Sequence, residues 1–180
     1  IAGNFPDLAG LKPQLAGFAW FQGWTDGKDI CHAASYERNV VNLVKDLRDA
    51  WGMPDLPAVI AVSGFYALGF PGGRRPVAGS DCCWRSACNC TCDCDADCTH
   101  YRIIQAQFAA ASQLKRTVAM ETRGFWRESG MSPSAGRAEP YHWHFNAESY
   151  FMVGQAIAGG LIQLLDAPDA QSMQEFGKSW

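Results

Sequence analysis

Short apolar runs alternate with longer stretches of helical periodicity, and that alternation constrains the fold more than any other feature of the chain. The runs are Leu15–Phe21, Ala58–Val62 and Thr117–Glu121. The first ends in Gln22-Gly23 and the second in Ser63-Gly64. Short apolar runs bounded by glycine read as parallel strands buried on both faces. Between the first two lies a helix over Tyr36–Trp51, with Tyr36, Val40, Leu43, Val44, Leu47 and Trp51 at helical spacing. Ser35 suits its N-cap, Gly52 the left-handed position past its end, and Pro54 forbids continuation. A second helix spans Tyr101–Leu114, with Ile104, Phe108, Ala111 and Leu114 in register. A third runs from about Ala147 to Leu165, capped by Asn146, with Tyr150, Val153, Ile157, Leu161 and Leu164 on its buried face. Gly159-Gly160 inside it costs about 1 kcal/mol per glycine relative to alanine, which argues for close packing there. The order predicts an α/β fold, a parallel sheet with helices on both faces. Three central strands alone leave edges open, so the expectation is that further sheet lies upstream and that the N-terminal portion is missing.

Composition bounds the partners. Residues 1–180 suit one domain, and a hydrophobic fraction of 48% is enough for a buried core. The net charge is −3, and no basic stripe points to nucleic acid. No polybasic run and no membrane-length apolar run occurs, so no membrane partner is expected. Seven of the eight cysteines fall between Cys82 and Cys98, and Cys31 stands alone. The segment from about 72 to 100 follows neither helical nor strand periodicity and reads as a Cys-rich insertion. Its readings, in order of preference, are an inert surface excursion, a disulfide-bridged loop using Cys31, and a metal site. Asp93, Asp95 and Asp97 imitate half a calcium loop, but Cys98 and Ile104 stand where Gly and Glu belong.

Two stretches carry chemistry. Glu139-Pro140-Tyr141-His142-Trp143-His144-Phe145-Asn146-Ala147-Glu148 brings an acid, two histidines, two aromatics and a helix cap together. Histidine titrates nearest neutral pH and suits general-base work, and an acid three residues before His142 can orient its ring. Phe18-Ala19-Trp20-Phe21-Gln22-Gly23-Trp24-Thr25-Asp26 sets polar groups just past a strand, where ligands sit in open α/β sheets. Ser63 also ends a strand, but no Gly-x-Ser-x-Gly elbow surrounds it, and a structural role is the preferred reading. His32 and His100 read as loop residues of little weight.

The block Gly17–Asp26 resembles the Trp-x-Gln-Gly block of the sialate O-acetylesterase-like (SASA) domain, a branch of the SGNH hydrolases. Tyr36–Leu43 followed by Phe65, then Glu121–Arg127, then Tyr141–Gly154 resemble its later blocks in order, so that the likeness runs from about Leu11 to Leu165 outside the cysteine-rich loop. The resemblance implies a doubly wound, flavodoxin-like α/β hydrolase that removes acetyl groups from carbohydrates, without metal or other cofactor. Family context points to a secreted or periplasmic location. It makes His142 the catalytic base and Glu139 its acidic partner, and it puts Gln22, Gly23 and Asp26 on the substrate and oxyanion side. The family's nucleophile is a serine in a Gly-Gln-Ser-Asn block, and no such block occurs in this chain. The expectation is therefore a C-terminal part of the domain, inactive alone, with its serine upstream. The alternative expectation is an inactive carbohydrate-binding relative or a truncated product.

Overall fold

A computed structural model describes residues 4–64, 96–127 and 142–166. Glu139 and the part of the expected Cys-rich insertion (about 72–100) that runs to residue 95 lie outside the described residues, while 96–100 belong to a helix. Three strands, β1 (Phe18–Trp20), β2 (Ala58–Ala61) and β3 (Thr117–Met120), form a parallel sheet in the order β1-β2-β3. The helices are α1 (Ile30–Ala50), α2 (Ala96–Ser112) and α3 (Ala147–Asp166). Short 3-10 turns lie at Asp26–Lys28, Arg123–Phe125 and His142–Phe145.

Parallel neighbours need crossovers, and crossovers of one hand stepping in one direction put their helices on one face. Here α1 and α2 pack together over Ala58, Ile60 and Val62. The intervening residues face the other way. Ala61 meets Val153 of α3 and the indole of Trp143, and Val59 lies against Gly160 of α3. Residues Ala58–Val62 are at most 1% exposed, so β2 is covered on both sides, as its unbroken apolar run predicts. Helices on both faces of a parallel sheet are the expected α/β architecture. Among the described residues β1 and β3 are the sheet edges, and β1 is only partly buried.

Several boundaries move, each for a local reason. His32, read as a loop residue, instead lies in the first turn of α1, which follows the 3-10 turn Asp26–Lys28. Asp29 starts α1, accepting from the backbone N–H of Cys31 at 2.8 Å and of His32 at 2.9 Å; Ser35, the expected cap, sits inside the helix. Strand pairing begins at Phe18 rather than Leu15, which is 41% exposed. Helix α2 begins at Ala96 rather than Tyr101. Trp51, Phe108 and Tyr150, assigned to buried stripes, are 44%, 39% and 40% exposed. On α2 the inward positions are Thr99, His100, Ile103, Ile104, Ala106, Gln107, Ala110 and Ala111, followed by Leu114 just past its end, which turns Phe108 outward. Other expectations hold. Gly52 has φ +62°, and Asn146 Oδ1 accepts from the Ser149 N–H at 3.0 Å to cap α3. A side chain at Gly160 would press on Met120 and Val59, whereas one at Gly159 would meet open space, so only the second glycine of the pair allows close approach.

Candidate functional site

The turns leaving β1 and β2 diverge at the carboxyl end of the sheet, and a cleft of about 220 Å³ opens there. It is lined by Phe21, Gln22, Gly23, Trp24 and Thr25 from the first turn and Ser63 and Gly64 from the second, with Trp126, Trp143 and Tyr150 opposite in sequence. A crevice beyond the carboxyl ends of parallel strands is where open α/β sheets bind ligands.

Gly23 sits where no other residue fits. Its φ is +151°, and a Cβ there would lie 2.7 Å from Ile103 Cγ2 and 2.9 Å from Ser63 Oγ. The Gln22 carbonyl before it accepts three hydrogen bonds: from Tyr36 Oη at 2.6 Å, Gln107 Nε2 at 2.8 Å and Ser63 Oγ at 3.0 Å. Gln107, fully buried on α2, also donates to Ser63 Oγ at 2.9 Å, and its Oε1 accepts from the Ser63 N–H at 2.8 Å. Burial pushes the Tyr36 phenol above its ordinary range. The Gln22 side chain donates from Nε2 to Asp26 Oδ2 at 2.6 Å. The structure thus brings Gln22 and Gly23 into the cleft, with Asp26 behind Gln22 as its anchor rather than among the lining residues.

The other wall is aromatic. Trp143 lies 5.8 Å from Trp126 and 6.2 Å from Phe21, ring centre to ring centre. Its indole occupies the space a side chain on Gly64 would need, which fastens the His142–Phe145 turn to the end of β2. Trp143 and Phe145 both hold φ +55°, a left-handed backbone that costs bulky residues energy and persists only where packing enforces it. Asn146 N–H closes the turn on the Trp143 carbonyl at 2.9 Å. His142, the expected base, is the first residue of this turn, so its backbone stands next to a lining residue of the cleft.

Ser63 takes the structural role. Its proton goes to the Gln22 carbonyl and its oxygen accepts from Gln107, which leaves its hydroxyl engaged inside the wall. His100 is not a loop residue: it lies in α2, 2% exposed, its ring 4.9 Å from that of Trp24. Sequence reasoning missed Gln107 and gave no site role to Tyr36, Trp126 or Trp143, although Trp143 lies in the stretch singled out around His142. The available signal for Gln107 was a polar residue at core spacing between Ile103, Ile104 and Ala110, Ala111.

Fold and cleft define an α/β protein that presents an aromatic and amide-lined cleft at the carboxyl ends of parallel strands. Residues 7–66, about a third of the chain, match the SASA family, described as carbohydrate esterase, sialic acid-specific acetylesterase. The matched span contains β1, the Gln22–Asp26 turn, α1 and β2, and it supports an acetylesterase-type function; it is shorter than the likeness read from Leu11 to Leu165. No curated protein and no solved structure matches the chain. No helix among the described residues is long and apolar enough to cross a membrane.

Proposed function

We propose that this chain is part of a carbohydrate O-acetylesterase, of sialate or acetyl-xylan type, that transfers the acetyl group through a serine. The observation that carries the reading is the coincidence of the family match with the cleft: the matched block Gln22-Gly23 forms its floor. In this reading His142 takes the proton of the nucleophile and Glu139 orients the imidazole. Donors of the Gln22–Gly23 turn stabilise the tetrahedral oxyanion. Trp126 and Tyr150, backed by the buried Trp143, offer flat apolar faces to sugar rings. In this reading the nucleophile is a serine upstream of residue 1, because the family's Gly-Gln-Ser-Asn block does not occur in residues 1–180 and Ser63 is bonded to the Gln22 carbonyl; residues 1–180 alone should turn over no acetyl ester.

The test uses a form of the protein that carries the nucleophile. His142→Ala should lower acetyl-ester turnover on the order of 10⁴-fold, the loss typical of a missing triad member, with the fold retained. His144→Ala should cost far less. Equal losses, or an active His142→Ala protein, would remove the base assignment. A second reading, a binding module for acetylated carbohydrate without turnover, draws on the same engaged Ser63. Saturable binding of an acetylated oligosaccharide with no acetate released by the longest natural chain would establish it.

A further inference from the structure

We infer that Gln107 is the positioning residue of the cleft, which holds the two strand-end turns together and aims the Gly23 N–H at the ligand. The side chain is fully buried on α2, in the stretch where its inward neighbours Ile103, Ile104, Ala106, Ala110 and Ala111 are all apolar. It spans the turn after β1 and the turn after β2, bonding the Gln22 carbonyl, the Ser63 N–H and the Ser63 hydroxyl at 2.8 to 2.9 Å. Tyr36 Oη lies a further 3.3 Å from its Nε2. These bonds draw the Gln22 carbonyl inward. In a trans peptide the following N–H points the opposite way, and no cis peptide occurs among the described residues. The Gly23 N–H is therefore turned away from Gln107, and Gly23 is among the residues that line the cleft. Gly23 itself contributes only its carbonyl to a described hydrogen bond, from the Gly27 N–H at 3.0 Å. An N–H fixed through the partners of the Gln22 carbonyl in the same peptide unit needs no reorganisation when negative charge develops opposite it.

The catalytic consequence rests on the esterase reading; the positioning does not. The experiment labels the glycines of the chain with ¹⁵N and compares wild type with Gln107→Met, a near-isosteric change that removes every bond. The Gly23 and Gly64 amide resonances should move, while those of Gly10 and Gly52, which have open space around them, stay in place. In a form that carries the nucleophile, kcat should fall at least tenfold with KM within twofold. Should Gln107→Met fail to fold, Tyr36→Phe removes one of the three donors to the Gln22 carbonyl and should move Gly23 in the same selective way. Unmoved Gly23 and Gly64 resonances, or a shift of all glycines alike, would overturn the positioning role. A selective Gly23 shift in a protein that hydrolyses no acetyl ester would uphold that role and refute the esterase reading instead.

Discussion

At the scale of single residues, Tyr36 shows how a buried polar group couples the cleft to pH. Its hydroxyl donates to the Gln22 carbonyl and accepts from Trp20 Nε1 at 3.3 Å. Ionisation would turn that donor into a charge facing a carbonyl, and burial raises the pKa above the ordinary 10.0. A raised pKa gives stability that is complete below the unfolded value and is lost as pH rises from there through the folded value. Denaturant unfolding from pH 8 to 11 should therefore show wild-type stability declining above pH 10. Tyr36→Phe should flatten part of that decline while costing about 1 kcal/mol at neutral pH for the lost hydrogen bond. Identical alkaline slopes would show that the phenol titrates as it does in the unfolded chain.

At the scale of elements, caps and glycines decide where helices begin and how near they come. Asp29, not Ser35, caps α1, because its carboxylate reaches two backbone N–H groups ahead of Ser35. Those N–H groups, the His32 one foremost, lower its pKa below the ordinary 3.8. Its contribution is present above that value and is lost as pH falls through the folded one. Asp29→Ala should lower the melting temperature at pH 7 more than Ser35→Ala, and the gap should close as pH falls below 4; a larger loss at Ser35 would restore the cap that local sequence favours. In α3 the adjacent glycines should answer oppositely. Gly159→Ala should stabilise by about 0.5–1 kcal/mol through helix propensity. Gly160→Leu should destabilise by about 1–3 kcal/mol through overpacking against Met120 and Val59. Thermal melts of both variants check the pair, and like signs would mean that α3 does not lie on β2 as described.

At the scale of the whole molecule, Arg48 ties the end of the sheet opposite the cleft. The buried guanidinium donates to the Leu56 carbonyl from Nε at 3.0 Å and from Nη2 at 2.7 Å. Nη2 also reaches the Lys115 carbonyl at 2.8 Å, the Arg116 carbonyl at 3.2 Å and Thr117 Oγ1 at 3.2 Å. One side chain of α1 thus joins the segments that lead into β2 and β3. Gln107 makes a similar join at the cleft end. Arg48→Met should cost roughly 2–3 kcal/mol, as expected for carbonyls that lose a charged donor, measured by denaturant unfolding. A cost below about 0.5 kcal/mol, the range of surface substitutions, would show the carbonyls rehydrated rather than bridged.

What the sequence determined by itself is whatever depends on near neighbours along the chain. The unbroken run Ala58–Val62 already demands cover on both faces. The spacing of Val40 and Val44 already defines the buried side of α1, and Gly52 its end. The Gln22-Gly23 block was legible as a candidate site because it follows a strand and carries a family pattern. What only the tertiary structure decided is whatever needs two distant segments to meet. Gln107 is one polar residue among many until α2 crosses the ends of β1 and β2, where it finds four partners it could not have locally. Trp143 becomes a wall of the cleft only because Gly64, far earlier in the chain, leaves room for its ring. Phe108 and Trp51 fit a helical period yet face outward, because period defines a stripe and not the azimuth at which another element covers it. Local spacing fixes which residues share a face; long-range packing chooses which face is buried and which polar groups are held there.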